Sequence, residues 1–173
     1  MKQKTSCYRP NYRKHRPFKT LSVIRSKIRL TRLFTFQAAH VLQNYDGARR
    51  NIHGHSYKLQ VTIIGTPILN KQHHKYGMVM DFDDLKNLVQ ERLLQKVDHA
   101  LLLREDNPPE LLQTLQKLHH KLVLTPYQPT CENMLLYFKS RLRNYLPVYV
   151  ELHSLKLWEA GNSFAEWYAS DEV

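Results

Sequence analysis

The stretch NIHGHSYKLQVTIIG, residues 51–65, determines the predicted architecture of this 173-residue chain. Its second half alternates between apolar and polar residues, and the apolar positions are Tyr57, Leu59, Val61 and Ile63. This period of two predicts a β-strand with one buried face, which ends at Gly65. His53 and His55 stand at the head of the strand, and residues two apart in a strand point to the same side. The strand therefore predicts two neighbouring imidazoles at one end of a sheet.

Another strand is predicted immediately before this one. In IRLTRLFTFQAAH, residues 28–40, one parity carries Leu30, Phe34, Phe36, Ala38 and His40. The segment that follows contains Asp46-Gly47 and several charged residues, which predicts a loop. Two strands joined by this loop predict an antiparallel hairpin, whose pairing returns His40 to the same end of the sheet as the other two histidines.

Three converging imidazoles are typical of a zinc site. Zinc held by three histidines keeps its fourth position open for water or substrate, which is the pattern of catalytic sites. A closed structural site would need a fourth ligand such as cysteine, and neither Cys7 nor Cys131 is near these histidines in the sequence. The alternative is an ordinary His-x-His pair at the exposed end of a strand.

The remainder of the chain predicts helices followed by a second hairpin. Residues 77–102 have helical spacing after Asp81, a candidate N-cap. A shorter helix is predicted within residues 107–121, and a third helix begins after Thr130. Two more strands surround the Gly-Asn pair at 161–162. This order predicts an α+β fold with a four-stranded antiparallel sheet and helices on one face.

Two further polar positions are candidates for chemistry. Asp98 precedes His99, and a neighbouring carboxylate can fix the tautomer of a histidine and raise its basicity, as general acids and bases require. An ordinary pair at a helix end is the alternative. Glu159 shares the apolar face of a strand, where a carboxylate is costly without a donor partner. It either anchors a ligand that carries an amidine-like pair of N–H groups or reaches water at the strand end.

The positive charge of the chain is concentrated at its beginning. The formal net charge is +11, but residues 1–30 hold ten of the 26 lysines and arginines and none of the 15 acidic residues. We predict a basic, disordered leader over residues 1–27 and one domain over residues 28–173. A basic leader can bind polyanions, so we expect contact with nucleic acid to be nonspecific and limited to this segment.

The sequence also indicates the cellular compartment in which the protein is expected. No apolar run approaches the length of a membrane span, and the first residues lack the apolar core of a signal peptide. The two cysteines are far apart and form no disulfide framework. We therefore expect a cytoplasmic protein that does not associate with membranes.

Six segments between Ile28 and Ser170 together carry a family resemblance: FTFQAAH, NIHGHSYKL, GMVMDFDDLK, VDHALL, PTCEN and LKLWE. In this order and spacing they resemble the 6-pyruvoyltetrahydropterin synthase / 6-carboxytetrahydropterin synthase family, and most nearly its bacterial 6-carboxytetrahydropterin synthases of queuosine biosynthesis. The resemblance implies the tunnelling fold, in which subunits join their sheets edge to edge into a barrel. It also implies a homo-oligomer, usually a hexamer of two trimers, with active sites between subunits.

The resemblance further implies a reaction and a role for each candidate residue. The implied zinc ligands are His40, His53 and His55, the implied pterin-binding residues are Thr130, Cys131 and Glu159, and the implied catalytic relay is Asp98 and His99. The implied activity is the zinc-dependent conversion of 7,8-dihydroneopterin triphosphate into 6-carboxy-5,6,7,8-tetrahydropterin. Triphosphate leaves and acetaldehyde is released.

The chain departs from the family pattern at the catalytic base. The family places a cysteine four residues before the first histidine of His-Gly-His, and here Arg49 occupies that position. Arginine stays protonated and cannot accept a proton, although its guanidinium can pair with phosphate oxygens. Cys131 and Asp46 are remote candidates to replace the base.

Three interpretations therefore stay open. The first is a working synthase that uses His99 or an unusual base. The second is a zinc- and pterin-binding paralogue with impaired or altered chemistry, such as an aldol cleavage. The third is a polyanion-binding protein that acts through its leader, and the nearly neutral charge of the chain after residue 30 argues against it.

Overall fold

A computed structural model describes residues 26–118 and 121–172 of the chain. Nearly all of the predicted leader, residues 1–27, lies outside the described residues. Lys27 is described, and its Nζ lies 2.5 Å from Oε1 of Glu151. The boundary between leader and domain therefore stays a prediction.

Six strands form one sheet in the described part of the chain. They are β1 (Ile28–His40), β2 (His53–Gly65), β3 (Ala100–Arg104), β4 (Leu122–Thr125), β5 (Val150–Ala160) and β6 (Ser163–Tyr168). Their order across the sheet is β4-β3-β1-β2-β5-β6.

The helices lie between β2 and β5 in the sequence. They are α1 (Phe82–Val89), a π-helical segment (Gln90–Leu94), α2 (Gln95–Val97), α3 (Pro109–Leu118) and α4 (Cys131–Arg143). The first three run on from one another, and Asp81 caps α1 as predicted, because its carboxylate accepts a hydrogen bond from the backbone N–H of Asp83. None of the helices among residues 26–118 and 121–172 is long and apolar enough to cross a membrane.

The two predicted hairpins are confirmed. β1 and β2 pair antiparallel over their whole length, from Ile28 opposite Gly65 to His40 opposite His53. β5 and β6 pair antiparallel around residues 161–162. The apolar parity of each strand faces α1 and α4, and the largest buried side chains of this core include Phe36, Tyr57 and Phe138. The alternation in the sequence thus sets the register, because a one-residue slip would expose the whole apolar face.

The predicted four-stranded antiparallel sheet is wrong in strand number and in direction. β3 pairs in parallel with the end of β1, and β4 pairs in parallel with β3. Parallel neighbours are what helical crossovers produce, and α1, α2 and α3 supply those crossovers. Ala100–Leu103 is a short continuous apolar run, whose periodicity does not distinguish a buried strand from the end of a helix.

The predicted placement of helices on one face is also wrong at this edge of the sheet. Leu102 joins the main core, whereas Leu101 and Leu103 point the other way and pack against Leu115 of α3. α3 therefore covers the face opposite to the one covered by α1 and α4. Burial on both faces explains why β3 does not alternate between apolar and polar residues.

Candidate functional site

The β1–β2 hairpin brings three histidines together, as predicted. His40 lies directly opposite His53, and His55 lies opposite Ala38, which has the same parity as His40. The three side chains offer ring nitrogens that all lie within 4.8 Å of one another. His40 is fully buried and the other two are partly buried.

Backbone carbonyls orient two of the three imidazoles. Nδ1 of His40 lies 2.6 Å from the carbonyl oxygen of Pro129, and Nδ1 of His53 lies 2.8 Å from that of Asn51. A carbonyl only accepts, so each Nδ1 carries the hydrogen and donates it. The lone pair is then on Nε2, the arrangement that second-shell hydrogen bonds impose on metal-binding histidines.

The three Nε2 atoms have no hydrogen-bond partner in the part of the chain that the structure describes. In His40, His53 and His55 alike, Nε2 is buried and unpaired within residues 26–118 and 121–172. Buried polar atoms of this kind are normally satisfied, so a group of three that converge calls for a common partner.

Burial also favours the neutral form of two of these imidazoles. It lowers the pKa of His40 and is the largest influence there, ahead of the opposing effect of the Pro129 carbonyl. Burial likewise lowers the pKa of His55, against the opposing charge of Glu159. Neutral imidazole nitrogens are ligands for a divalent metal ion, so the donor set fits a three-histidine zinc site with an open position.

Glu159 lies beside this cluster at the end of β5. Its Oε1 is 3.7 Å from Nε2 of His40 and 3.9 Å from Nε2 of His55, and its side chain is 10% exposed. Its Oε2 is 3.6 Å from Nη2 of Arg49, whose side chain is 53% exposed. Glu159 therefore does not reach water at the end of the strand. Its carboxylate lies between the histidines and the guanidinium of Arg49.

A pocket of about 260 Å³ opens at Glu159. Its lining comprises Leu42, Tyr45, Arg49, Gln128, Thr130, Cys131, Glu132 and Glu159. All three residues predicted to hold a ligand, Thr130, Cys131 and Glu159, are thus brought together, with Arg49 at the same pocket. Thr130 is the N-cap of α4 as predicted, since its hydroxyl accepts from the backbone N–H of Asn133 at 3.3 Å.

Cys131 is unsuited to act as a base. Its thiol donates a hydrogen bond to the carbonyl of Leu157 at 3.2 Å, and burial raises the pKa of the thiol to about 11. A thiol with such a pKa carries almost no thiolate near neutral pH.

Asp98 and His99 are placed differently from the other candidates. Oδ1 of Asp98 accepts from the backbone N–H of Gln37 at 2.8 Å, and the backbone N–H of His99 donates to the carbonyl of Gln37 at 2.6 Å. His99 has a φ of 56°, a left-handed conformation that is uncommon outside glycine. Its side chain is 77% exposed, and its Nε2 is 3.8 Å from Oδ1 of Asp98, too far for a hydrogen bond.

His99 lines another cavity, of about 540 Å³, together with Gln37, Ser56 and Lys121. This cavity shares no lining residue with the pocket at Glu159. Within a single chain, the structure therefore does not bring the Asp98–His99 pair into the Glu159 pocket.

Sequence reasoning missed the groups that orient the histidines. The Pro129 carbonyl is separated from His40 by 89 positions, and no sequence pattern links the two. Alternation predicts Tyr57 only as a core residue of β2, but its ring centroid is 5.6 Å from that of His55. The signal available for Tyr57 was its polar hydroxyl at a position that alternation places in the core.

Comparison with known proteins adds sequence relatives. A sequence model of the 6-pyruvoyl tetrahydropterin synthase family matches residues 29–170. The 6-carboxy-5,6,7,8-tetrahydropterin synthase of Haemophilus influenzae is 37% identical over 141 residues, which cover 80% of this chain and 97% of that protein. The dihydroneopterin monophosphate aldolase of Pyrococcus furiosus is 31% identical over 144 residues, which cover 82% of this chain and 99% of that protein.

Solved structures share the fold at lower identity. An uncharacterised protein from Wolinella succinogenes superposes with a TM-score of 0.67 at 20% identity, covering 83% of this chain and 99% of that one. The 6-pyruvoyl tetrahydropterin synthase of Caenorhabditis elegans superposes with a TM-score of 0.58 at 23% identity, covering 83% of this chain and 96% of that one.

Proposed function

Because this chain belongs to the 6-pyruvoyl tetrahydropterin synthase family, we propose that it is a zinc-dependent lyase that converts 7,8-dihydroneopterin triphosphate into 6-carboxy-5,6,7,8-tetrahydropterin. The family predicted from the six sequence segments is thereby confirmed. One observation carries the finer proposal: three unpaired, buried Nε2 atoms converge beside the carboxylate that ends β5. The product would supply queuosine biosynthesis, and we place the protein in the cytoplasm.

The metal part of the proposal rests on His40, His53 and His55. These residues would hold Zn²⁺ through Nε2, with the carbonyls of Pro129 and Asn51 fixing the ring orientations of the first two. When bound, zinc polarises substrate oxygens and lowers the pKa of hydroxyls that coordinate it.

Substrate recognition is assigned to the pocket at Glu159. A pterin ring carries an N–H group next to an exocyclic amino group, and a carboxylate can accept from both at once. Glu159 is buried enough to make such a pair strong, because it is only 10% exposed. Thr130 and Cys131 would line the pterin pocket with their backbone at the start of α4. The half-exposed guanidinium of Arg49 would face the triphosphate.

Asp98 and His99 remain the candidate proton relay. In one chain, His99 lines a cavity that includes His55 but not Glu159. His99 and Glu159 would therefore meet at one ligand if a neighbouring subunit contributed one of them. This separation supports active sites between subunits, which the predicted homo-hexamer of two trimers would provide. The outer strands β4 and β6 have unpaired edges within the described sheet, and edge-to-edge assembly would cover them.

A second candidate function is favoured by Arg49. Its guanidinium stands where the family has its cysteine base, and it cannot accept a proton. The relative named as an aldolase covers 82% of this chain at 31% identity. We therefore keep an impaired or altered zinc- and pterin-binding protein, including one that performs aldol cleavage, as the alternative.

Product analysis separates the two candidates. Zinc-loaded protein is incubated with dihydroneopterin triphosphate, and the products are identified by liquid chromatography and mass spectrometry. A 6-carboxytetrahydropterin together with acetaldehyde supports the synthase, whereas a 6-hydroxymethyl pterin supports aldol cleavage. The His53→Ala, His55→Ala double variant is the matched control for metal dependence.

Binding is measured in parallel so that a lack of turnover can be interpreted. Glu159→Gln keeps the shape of the side chain but replaces one acceptor oxygen with a donor. Loss of one charge-assisted hydrogen bond weakens affinity by about 1.5–3 kcal/mol, or roughly tenfold to a hundredfold. No product with intact, Glu159-dependent binding of neopterin identifies an impaired relative, and no binding by the wild type contradicts both candidates.

A further inference from the structure

Tyr57 has a buried hydroxyl that the described residues do not satisfy. Its side chain is 0% exposed, and its oxygen has no hydrogen-bond partner within residues 26–118 and 121–172. The ring itself is well packed, since it stacks on Phe36 with centroids 4.9 Å apart and an interplanar angle of 10°. Packing alone would therefore be served equally well by phenylalanine, and the hydroxyl needs a separate explanation.

The side chain lies next to the candidate site. β2 and β5 pair Leu59 with Leu157, and the same register places Tyr57 level with Glu159 on the inner face. The Tyr57 ring centroid is 5.6 Å from that of His55 and 6.2 Å from that of His40. Tyr57 thus borders both the histidine cluster and the carboxylate.

The hydroxyl differs in chemistry from the unpaired nitrogens around it. The three histidine Nε2 atoms also lack partners among the described residues, and a metal ion would account for all three. A neutral phenol is not among the usual ligands of zinc, so the ion does not account for the fourth atom. A phenol hydroxyl both donates and accepts hydrogen bonds, so it can donate to a ligand acceptor.

We propose that Tyr57 is a further ligand-binding residue, whose hydroxyl donates a hydrogen bond to an acceptor atom of the ligand beside the N–H pair held by Glu159. The ring of a pterin provides this pattern, because its N–H and amino groups are flanked by a carbonyl oxygen and a ring nitrogen that accept. A carboxylate with a hydroxyl donor next to it complements such an edge. The inference rests on the proposed pterin-binding function and assigns one more contact within the same site.

The test removes the hydroxyl alone. Neopterin, which lacks phosphate, is titrated by calorimetry into the zinc-loaded wild type and the Tyr57→Phe variant. We expect Tyr57→Phe to bind neopterin about threefold to tenfold more weakly, as loss of a neutral hydrogen bond predicts. Zinc content should not change, because the tyrosine oxygen is outside the three-nitrogen set.

Two further measurements distinguish a ligand contact from a structural one. Without neopterin, the midpoint of thermal unfolding of Tyr57→Phe should be equal to that of the wild type or higher, because the variant no longer buries an unpaired hydroxyl. The matched control is Tyr137→Phe, which removes a hydroxyl from a partly buried tyrosine of α4 whose ring packs near Tyr127 and Phe138 and not beside the histidines. This control should leave neopterin affinity unchanged.

Several outcomes would overturn the inference. Equal affinity of Tyr57→Phe and wild type, with Glu159→Gln weakened, removes the Tyr57 contact and leaves the proposed function standing. A variant that unfolds at lower temperature or fails to fold shows that the hydroxyl has a structural partner. A wild type that does not bind neopterin removes the proposed function and this inference together.

Discussion

Arg49 gives the sharpest test of what the site binds, because its replacement should have opposite effects on two ligands. In the structure, its Nη2 is 3.6 Å from Oε2 of Glu159, the carboxylate proposed to hold the pterin ring. A ligand that pairs with Glu159 must therefore compete with the guanidinium. A ligand that carries phosphate gains the same guanidinium as a partner. Arg49→Ala should strengthen binding of neopterin and weaken binding of neopterin triphosphate.

The structure limits the size of the first effect. Two unit charges 3.6 Å apart attract by about 1 kcal/mol at the dielectric constant of water and by several kcal/mol in a partly buried setting. The Arg49 side chain is 53% exposed, so the value for exposed pairs, about 0.2–1 kcal/mol, applies. Neopterin should then bind more tightly by at most about fivefold.

The second effect should be larger. A charge-assisted hydrogen bond to phosphate is worth about 1.5–3 kcal/mol, so neopterin triphosphate should bind roughly tenfold to a hundredfold more weakly. Both titrations are carried out by calorimetry at one ionic strength. Arg50→Ala is the matched control, because it removes the same charge from an exposed residue of the same turn, Ala48–Arg50. A change of the same sign for both ligands in Arg49→Ala would refute the competition between guanidinium and ligand.

The same position tests the missing base. If the site lacks only its general base, Arg49→Cys should raise turnover by about a hundredfold to ten-thousandfold, whereas Arg49→Ala should not. High wild-type turnover that falls in both variants would instead show a positive role for the guanidinium. No turnover in any variant, with zinc and pterin still bound, would contradict the assignment of His99 as a proton-transfer group.

Three other predictions follow from the described contacts. Purified protein should carry about one zinc per chain, and the His53→Ala, His55→Ala double variant should lose it in elemental analysis, whereas retention would contradict the three-histidine site. Deletion of residues 1–26 should leave folding and oligomeric state unchanged, because the first strand of the described residues begins at Ile28. Aggregation of the shortened chain in gel filtration would contradict this. The metal-free protein should lose thermal stability as pH falls through 6.5, the ordinary pKa of histidine, because burial lowers the pKa of His40 and His55 and the unfolded chain then binds protons that the folded chain does not. A midpoint of unfolding that is constant between about pH 7.5 and 5 would contradict the pKa directions.

The parts of the site that depend on local periodicity were predictable from the sequence. Alternation in β1 and β2 fixes which parity is buried, and the hairpin pairing then places His40 opposite His53. The N-cap at Thr130 was predictable for the same kind of reason, because a hydroxyl before an amphipathic stretch satisfies the first free N–H groups of a helix.

Other parts depend on contacts between distant segments. The Pro129 carbonyl fixes the His40 ring, yet only the packing of α4 against the sheet brings the two together. The parallel pairing of β3 was missed because Ala100–Leu103 is buried on both faces and has no polar period. The conformation of His99 depends on that pairing. His99 precedes β3, its backbone N–H donates to the Gln37 carbonyl of β1, and its backbone is left-handed.

Glu159 explains how an arginine could lie next to a metal ion held by the three histidines. A guanidinium alone would repel a cation bound by the three histidines, and the sequence offers no reason for the fold to accept that repulsion. In the structure, Glu159 presents Oε1 to two of the imidazoles and Oε2 to Arg49. With a metal ion bound, the carboxylate would lie between the two positive charges and offset part of their repulsion. A ligand that takes both oxygens of Glu159 would expose the metal to Arg49 again, unless the ligand brings negative charge of its own. The triphosphate of the proposed substrate supplies that charge, which is a physical reason for Arg49 to favour phosphorylated pterins over neutral ones.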